Sequence, residues 1–140
     1  MCPSHISNAV QALGDEQFAK RLNERHVRVL EQQVDTVPED ARARMLLASR
    51  YAQLGRKNDA CHHLENAVAM RPNDPNTLYN AACTYGNLQM KQEALTMIGR
   101  AVETGFTDTD WISRDPDLDC LHGDPEFERL IEEKKRKEIP

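Results

Sequence analysis

The feature that most constrains the fold of this chain is an internal repeat with a period of 34 residues. Displacing the sequence by this period aligns identical or similar residues in pairs: Pro38 with Pro72, Ala48 with Ala82, Tyr51 with Tyr85, Leu54 with Leu88, Ala60 with Ala94, Leu64 with Ile98, Ala67 with Ala101 and Val68 with Val102. Within each unit the residues form two groups: Leu47, Ala48, Tyr51 and Leu54 lie at i, i+1, i+4 and i+7, and Ala60, Leu64, Ala67 and Val68 lie at i, i+4, i+7 and i+8. Such spacing places side chains on one face of an α-helix, so each unit is predicted to be a helical hairpin.

Turn and capping residues lie where this interpretation requires them. Gly55 is expected to end the first helix of its unit, and Asn58 is a candidate cap for the second helix. Asp74 and Pro75 give an N-cap followed by proline at the first helical position. The pattern therefore predicts helices near residues 39–54, 57–71, 75–88 and 91–104.

The composition supports helices that each bury one face. Hydrophobic residues make up 39% of the 140 residues, charged residues 29% and aromatic residues 5%, and there are six glycines. These values disfavour a disordered chain, a β-sandwich and a glycine-rich nucleotide-binding fold. The formal net charge of -5 gives no general attraction to nucleic acids or anionic membranes. We therefore expect neither a nucleic-acid partner nor a membrane partner.

The cysteines and the first residues of the chain bear on its location. Four cysteines are scattered without a CxxC pair, which is typical of reduced thiols rather than of a disulfide framework. The first ten residues lack the basic start and apolar core of a signal peptide, and no window is apolar enough to span a membrane. These observations predict a cytoplasmic protein.

The repeated units resemble the tetratricopeptide repeat. Residues 41–74 supply the following residues of its pattern: Leu47, Ala48, Tyr51, Gly55, Ala60, Leu64, Ala67 and Pro72. Residues 75–108 supply a second set: Leu78, Ala81, Ala82, Tyr85, Ala94, Ile98 and Ala101. The chain departs from the pattern at Arg44, where a large apolar residue is expected, at Gln89, which replaces the turn glycine, and at Phe106, which replaces the closing proline.

The flanking segments resemble the ends of such arrays. Residues 9–38 are similar to a degenerate unit with a long second helix near 16–36, and residues 109–136 to a capping segment with a final helix near 125–136. The aspartate-rich run after Trp111 is similar to the closing segment of tetratricopeptide arrays in bacterial adenylate-cyclase-like and serine/threonine-kinase-like signalling proteins. The resemblance implies one all-α domain over residues 1–140, a right-handed superhelical stack of antiparallel helical hairpins with a C-terminal helical cap.

The resemblance also implies a function and a site. The first helices of successive hairpins line a concave groove in this family, and here the groove residues would be Arg42, Met45, Ser49, Gln53, Asn76, Tyr79, Asn80, Cys83 and Asn87. Asn80 lies where family members use an amide to hold the backbone of a ligand. The expected function is a non-catalytic protein-interaction module that binds a protein or peptide, with its oligomeric state left open. Two alternatives remain: a groove that packs only against another part of a larger protein, and a regulatory or structural C-terminal part of a larger cyclase-like or kinase-like enzyme.

Candidate metal and catalytic groups are interpreted as structural. Asp115, Asp117, Asp119 and Glu126 have the spacing of a calcium loop, but Cys120 occupies the place of the required glycine. Capping aspartates explain the same residues.

Neither Cys61-His62-His63 nor Cys120 with His122 has the ligand spacing of a zinc site. The basic run 134–137 is interpreted as a solvated helix end. We therefore predict no metal, no cofactor and no catalytic residue.

Overall fold

The computed structural model describes residues 16–138, and side chains are described up to residue 136. The elements in this part of the chain are α1 (Glu16–Thr36), α2 (Ala41–Gln53), α3 (Lys57–Met70), α4 (Pro75–Asn87), α5 (Lys91–Glu103), α6 (Thr109–Arg114), the 3-10 helix η1 (Pro116–Leu121) and α7 (Pro125–Glu138). All of them are helical, so the predicted all-α fold class is confirmed, and the predicted helix bounds lie within two residues of those observed. Residues 9–15 of the predicted degenerate unit lie outside the described residues.

The chain divides into two compact units, Met1–Ala67 and Val68–Pro140. In the first unit α1 packs against α2, and Val27, Leu30 and Val34 are the buried residues of α1. The α2 and α3 helices contact each other through His63, whose ring stacks on Tyr51 and whose Nδ1 lies 3.3 Å from a guanidinium nitrogen of Arg44. Arg44, the departure from the family pattern, therefore interacts through its charge rather than through an apolar side chain.

In the second unit α4 and α5 form the hairpin, and the residues after it cover this hairpin. The η1 helix contacts both α4 and α5, and α7 contacts α5 and α6. The apolar side chains that follow α5 and are buried are Ile112, Leu118, Leu121, Phe127 and Ile131. Trp111, in the same segment, is 41% exposed.

The two predicted turns adopt the same left-handed backbone. Gly55 has a φ of 77°, and Gln89, which stands in place of the glycine one period later, has a φ of 61°. An L-residue rarely adopts this conformation, so Gln89 is held there by the hairpin around it. The prediction that Asn58 caps the second helix is wrong, because α3 already begins at Lys57. Asn58 therefore lies in the first turn, and the Ala60 amide donates to the Arg56 carbonyl.

Aspartates cap the first helix of each hairpin. Asp40 accepts a hydrogen bond from the Ala43 amide at 3.0 Å, and Asp74 accepts one from Thr77. The Ala43 amide and the Gln33 side chain lower the pKa of Asp40, and the Thr77 hydroxyl lowers the pKa of Asp74. A carboxyl whose pKa is lower in the folded state contributes stability above its unfolded value, 3.8. That contribution is lost as the pH falls through the lowered folded value.

The Asp40→Ala variant is expected to lose about 1 kcal/mol of unfolding free energy near neutral pH, because the Ala43 amide loses its acceptor. Chemical denaturation measures this loss. The matched control is Glu39→Ala, which removes an exposed carboxylate from the preceding position and should leave stability nearly unchanged. Equal effects of the two changes, or a loss that persists in full at pH 2, would contradict the capping role.

Candidate protein-binding surface

The groove residues predicted on α2 differ in accessibility. Arg42 and Gln53 are exposed, Ser49 is half-buried, and Met45 is only 8% exposed. Met45 therefore belongs to the core of the first unit, and Arg42 and Gln53 are the members of this set that a ligand can contact directly.

The α4 helix carries a stripe of exposed amides. Asn76, Asn80 and Asn87 are exposed and, at about 100° per residue, fall within about 40° of one another around the helix axis. Asn87 donates to the Asp117 carboxylate at 3.2 Å. The side chains of Asn76 and Asn80 form no hydrogen bond with any described residue. We call these two amides the amide pair; both retain their full hydrogen-bonding capacity for a ligand.

The remaining predicted residues of α4 contact the chain itself. The Tyr79 hydroxyl and the Cys83 thiol both donate to one carboxylate oxygen of Asp115, the thiol at 3.6 Å. The other Asp115 oxygen accepts from the Asp117 amide at 2.9 Å. The Tyr79 ring stacks on Phe106 with centroids 4.3 Å apart. Asp115 itself is 3% exposed, so its carboxylate depends on these three donors.

The electrostatics of this cluster keep its donors protonated. Burial, followed by the hydrogen bond to Asp115, raises the pKa of Tyr79 far above its usual value. Burial, followed by the charges of Asp115 and Asp117, likewise raises the pKa of the Cys83 thiol. A thiol with a raised pKa is a poor nucleophile and a poor metal ligand near neutral pH. The raised pKa values of Tyr79 and Cys83 therefore favour the protonated forms that donate to Asp115.

The same residues form the one group of metal-ligand type found among the described side chains. The ligand atoms of Cys83, Asp115 and Asp117 lie within 4.8 Å of one another. Both Asp115 oxygens already accept hydrogen bonds, one Asp117 oxygen accepts from Asn87, and the Cys83 thiol donates to Asp115. This hydrogen bonding accounts for the cluster as the link between η1 and α4.

Sequence reasoning missed this link, although one residue signals it. Gly86 is a buried residue inside α4, and a Cβ atom there would collide with the Asp117 carbonyl oxygen. The Cys120 thiol donates to the Gly86 carbonyl at 3.7 Å, which adds a second contact at the same point. Glycine in a helix interior costs stability unless another segment approaches closely, so Gly86 could have been singled out.

Comparison with known proteins agrees with this architecture. The tetratricopeptide repeat family matches residues 41–74. A protein of Arabidopsis thaliana whose name describes it as chloroplastic is 26% identical to this chain over 87 residues, which make up 60% of the chain and 26% of the relative. The chain thus spans about a quarter of the length of this relative. Among the described helices, none has the length and apolar character needed to cross a membrane.

Proposed function

We propose that this chain, a member of the tetratricopeptide repeat family, is a non-catalytic module that binds a protein segment through the amide pair of α4. The observation that carries the proposal is the exposure of Asn76 and Asn80 with both side-chain amides unused. An amide offers a donor and an acceptor together, so it pairs with a peptide group whatever the ligand's side chains are.

The spacing of the amide pair suits an extended ligand. Residues four apart on a helix are separated by about 6 Å along its axis. Two residues of an extended chain span about 6.6 Å. A segment lying along α4 in an extended conformation therefore presents equivalent peptide groups to both amides.

The other predicted groove residues have different roles. Arg42 and Gln53 lie on α2 of the first unit and are exposed, so they remain candidate contacts of that unit by itself. Tyr79, Cys83 and Asn87 are engaged with Asp115 and Asp117, so we assign them to holding η1 against α4. Met45 and Ser49 are not proposed as contacts.

The proposed setting is the cytoplasm, with a protein as partner. The four cysteines are scattered without a CxxC pair, which is typical of reduced thiols and supports a reducing compartment. The name of the relative assigns that protein to the chloroplast. The acidic net charge of -5 supports the absence of a nucleic-acid partner.

The Asn80→Ala variant is expected to weaken binding of a protein partner at least about fivefold, because a buried peptide group of the ligand then lacks its pair. A partner is first identified by affinity capture and mass spectrometry and then purified for titration calorimetry. The matched control is Gln92→Ala, which removes an exposed amide from α5. Unchanged affinity of Asn80→Ala, or an equal loss in both variants, would contradict binding through α4.

A second candidate is that the chain is the regulatory or structural part of a longer signalling enzyme. The matched region of the relative makes up only 26% of that protein, so a related repeat does occur within a longer chain. The gene sequence upstream distinguishes the two: a cyclase-like or kinase-like catalytic domain in the same reading frame would favour the second candidate.

A further inference from the structure

The α1 helix presents an apolar stripe on the side opposite the core of the first unit. Phe18, Leu22 and Val29 are 45%, 46% and 58% exposed. At about 100° per residue they fall within about 40° of one another around the helix axis. The buried residues of α1 lie on the other side: Val27, Leu30 and Val34. The stripe therefore lies away from the surface that α1 packs against α2.

Three arginines flank this stripe. Arg21, Arg25 and Arg28 are exposed, lie along one edge of it, and pair with no carboxylate of the described residues. Among those residues, the arginines, Phe18 and Leu22 line one open cleft together with Glu24. Residues 20–28 hold four basic residues and one acidic residue, although the whole chain carries a net charge of -5. Apolar and cationic groups are thus concentrated on one surface.

We infer that this surface of α1 docks an acidic amphipathic helix of a partner protein. Residues 18, 22, 25 and 29 are spaced by four, three and four, which is the spacing of side chains that interlock with a facing helix. Leu22 and Val29 supply apolar contact, and the carbon stem of Arg25 continues the stripe between them. The guanidinium groups at its edge pair with carboxylates of the partner in bidentate geometry.

Charge and residue spacing together favour this occupant over two others. A second copy of α1 in parallel register would place Arg25 against Arg25 within the seam, and in either direction it would bring two basic surfaces together. An anionic membrane would attract the same arginines, so charge does not separate it from an acidic helix; the four-three-four spacing, which fits the side chains of a facing helix, favours the helix. An acidic amphipathic helix offers apolar side chains to the stripe and carboxylates to the arginines at its edge. This surface is separate from the amide pair, so the inference does not depend on the proposed function.

The test is fluorescence anisotropy with the full chain and a labelled synthetic helical peptide of about three heptads. The peptide has leucine at its a and d positions and glutamate at e and g, and a second peptide has lysine in place of glutamate. We expect the glutamate peptide to bind at least about tenfold more tightly than the lysine peptide, and its affinity to fall as salt rises. Failure of the glutamate peptide to bind, or equal binding of both peptides, overturns the inference.

Matched variants assign the binding to α1. Arg25→Glu should lower the affinity for the glutamate peptide at least about tenfold. Arg129→Glu, which reverses the charge of an exposed arginine of α7, should change this affinity less than about twofold. Val29→Ser should lower the affinity for the glutamate peptide several-fold. Leu46→Ser, which changes a residue of α2 that is 41% exposed, should leave this affinity unchanged. Equal effects of the α1 variants and their controls contradict the site. If the chain binds phosphatidylserine vesicles but not the peptide, the occupant of this surface is a membrane and not a helix. If the chain dimerises with increasing concentration and Arg25→Glu abolishes the dimer, the occupant is a second copy of the chain.

Discussion

Replacing Gly86 by alanine is expected to lower the unfolding free energy of the second unit by about 3 kcal/mol. The added Cβ atom would collide with the Asp117 carbonyl oxygen, which belongs to the backbone of η1 and cannot rotate away. The η1 helix must then move off α4, and the hydrogen bond from the Cys120 thiol to the Gly86 carbonyl is lost with it. Chemical denaturation followed by circular dichroism measures the loss.

Gly99→Ala is the matched control for this prediction. Gly99 also lies inside a helix, α5, but a Cβ atom there meets no neighbouring atom within 4 Å. Because alanine favours the helix over glycine, this variant is expected to gain about 0.5–1 kcal/mol. If Gly86→Ala is also stabilised, η1 does not pack on α4 as described.

The Asp115→Asn variant is expected to destabilise the second unit by a similar amount, about 3 kcal/mol. Tyr79 and Cys83 both donate to one oxygen of the buried Asp115 carboxylate, and the Asp117 amide donates to the other. An asparagine of the same shape presents an NH2 group to one side of this cluster, which leaves at least one buried donor without an acceptor. Each such unmatched donor costs about 1–3 kcal/mol.

The control for Asp115→Asn is Asp119→Asn. The Asp119 side chain is 76% exposed and, among the described residues, its ion pair is with His122, so the same change there should cost less than about 0.5 kcal/mol. Cys83 gives a second readout, because the charge of Asp115 contributes to its raised pKa. Alkylation of Cys83 should therefore begin at a lower pH in Asp115→Asn than in the unchanged chain. Equal stability of the two variants, or an unchanged pH dependence, would refute the role of Asp115 as acceptor.

The helices could be predicted from the sequence because the repeat and the caps give independent indications of the same bounds. Asp74 followed by Pro75 marks the start of α4, and Gly55 marks the end of the first helix of its hairpin. The capping role predicted for Asn58 was wrong because asparagine is a common cap residue near a helix start. Here the helix has already begun, since the Ala60 amide donates a hydrogen bond to the Arg56 carbonyl. Local signals therefore place a helix well but assign its cap residue less surely.

The candidate site could be predicted only in part. The repeat predicts which residues share a face of α4, and the family resemblance placed Asn76, Asn80 and Cys83 together on the predicted groove. It does not show what covers that face, because the segment after α5 has no counterpart one period earlier. The Tyr79 hydrogen bond to Asp115 joins residues 36 positions apart, and nothing in the pattern of either segment specifies such a pairing. The arginine-flanked stripe of α1 was likewise missed, because its exposure follows from which side of α1 packs against α2.

The central claim is that the amide pair of α4 contacts a protein segment, and photo-crosslinking from its first residue tests it most directly. A photoreactive amino acid is placed at Asn76, and in a second protein at the exposed Gln92 of α5. Each is irradiated with the purified partner, with and without the further change Asn80→Ala. We expect a crosslinked adduct from residue 76 that decreases at least about fivefold in Asn80→Ala, and none from residue 92. An adduct from residue 92 alone, or an adduct from residue 76 that Asn80→Ala does not reduce, would contradict the claim.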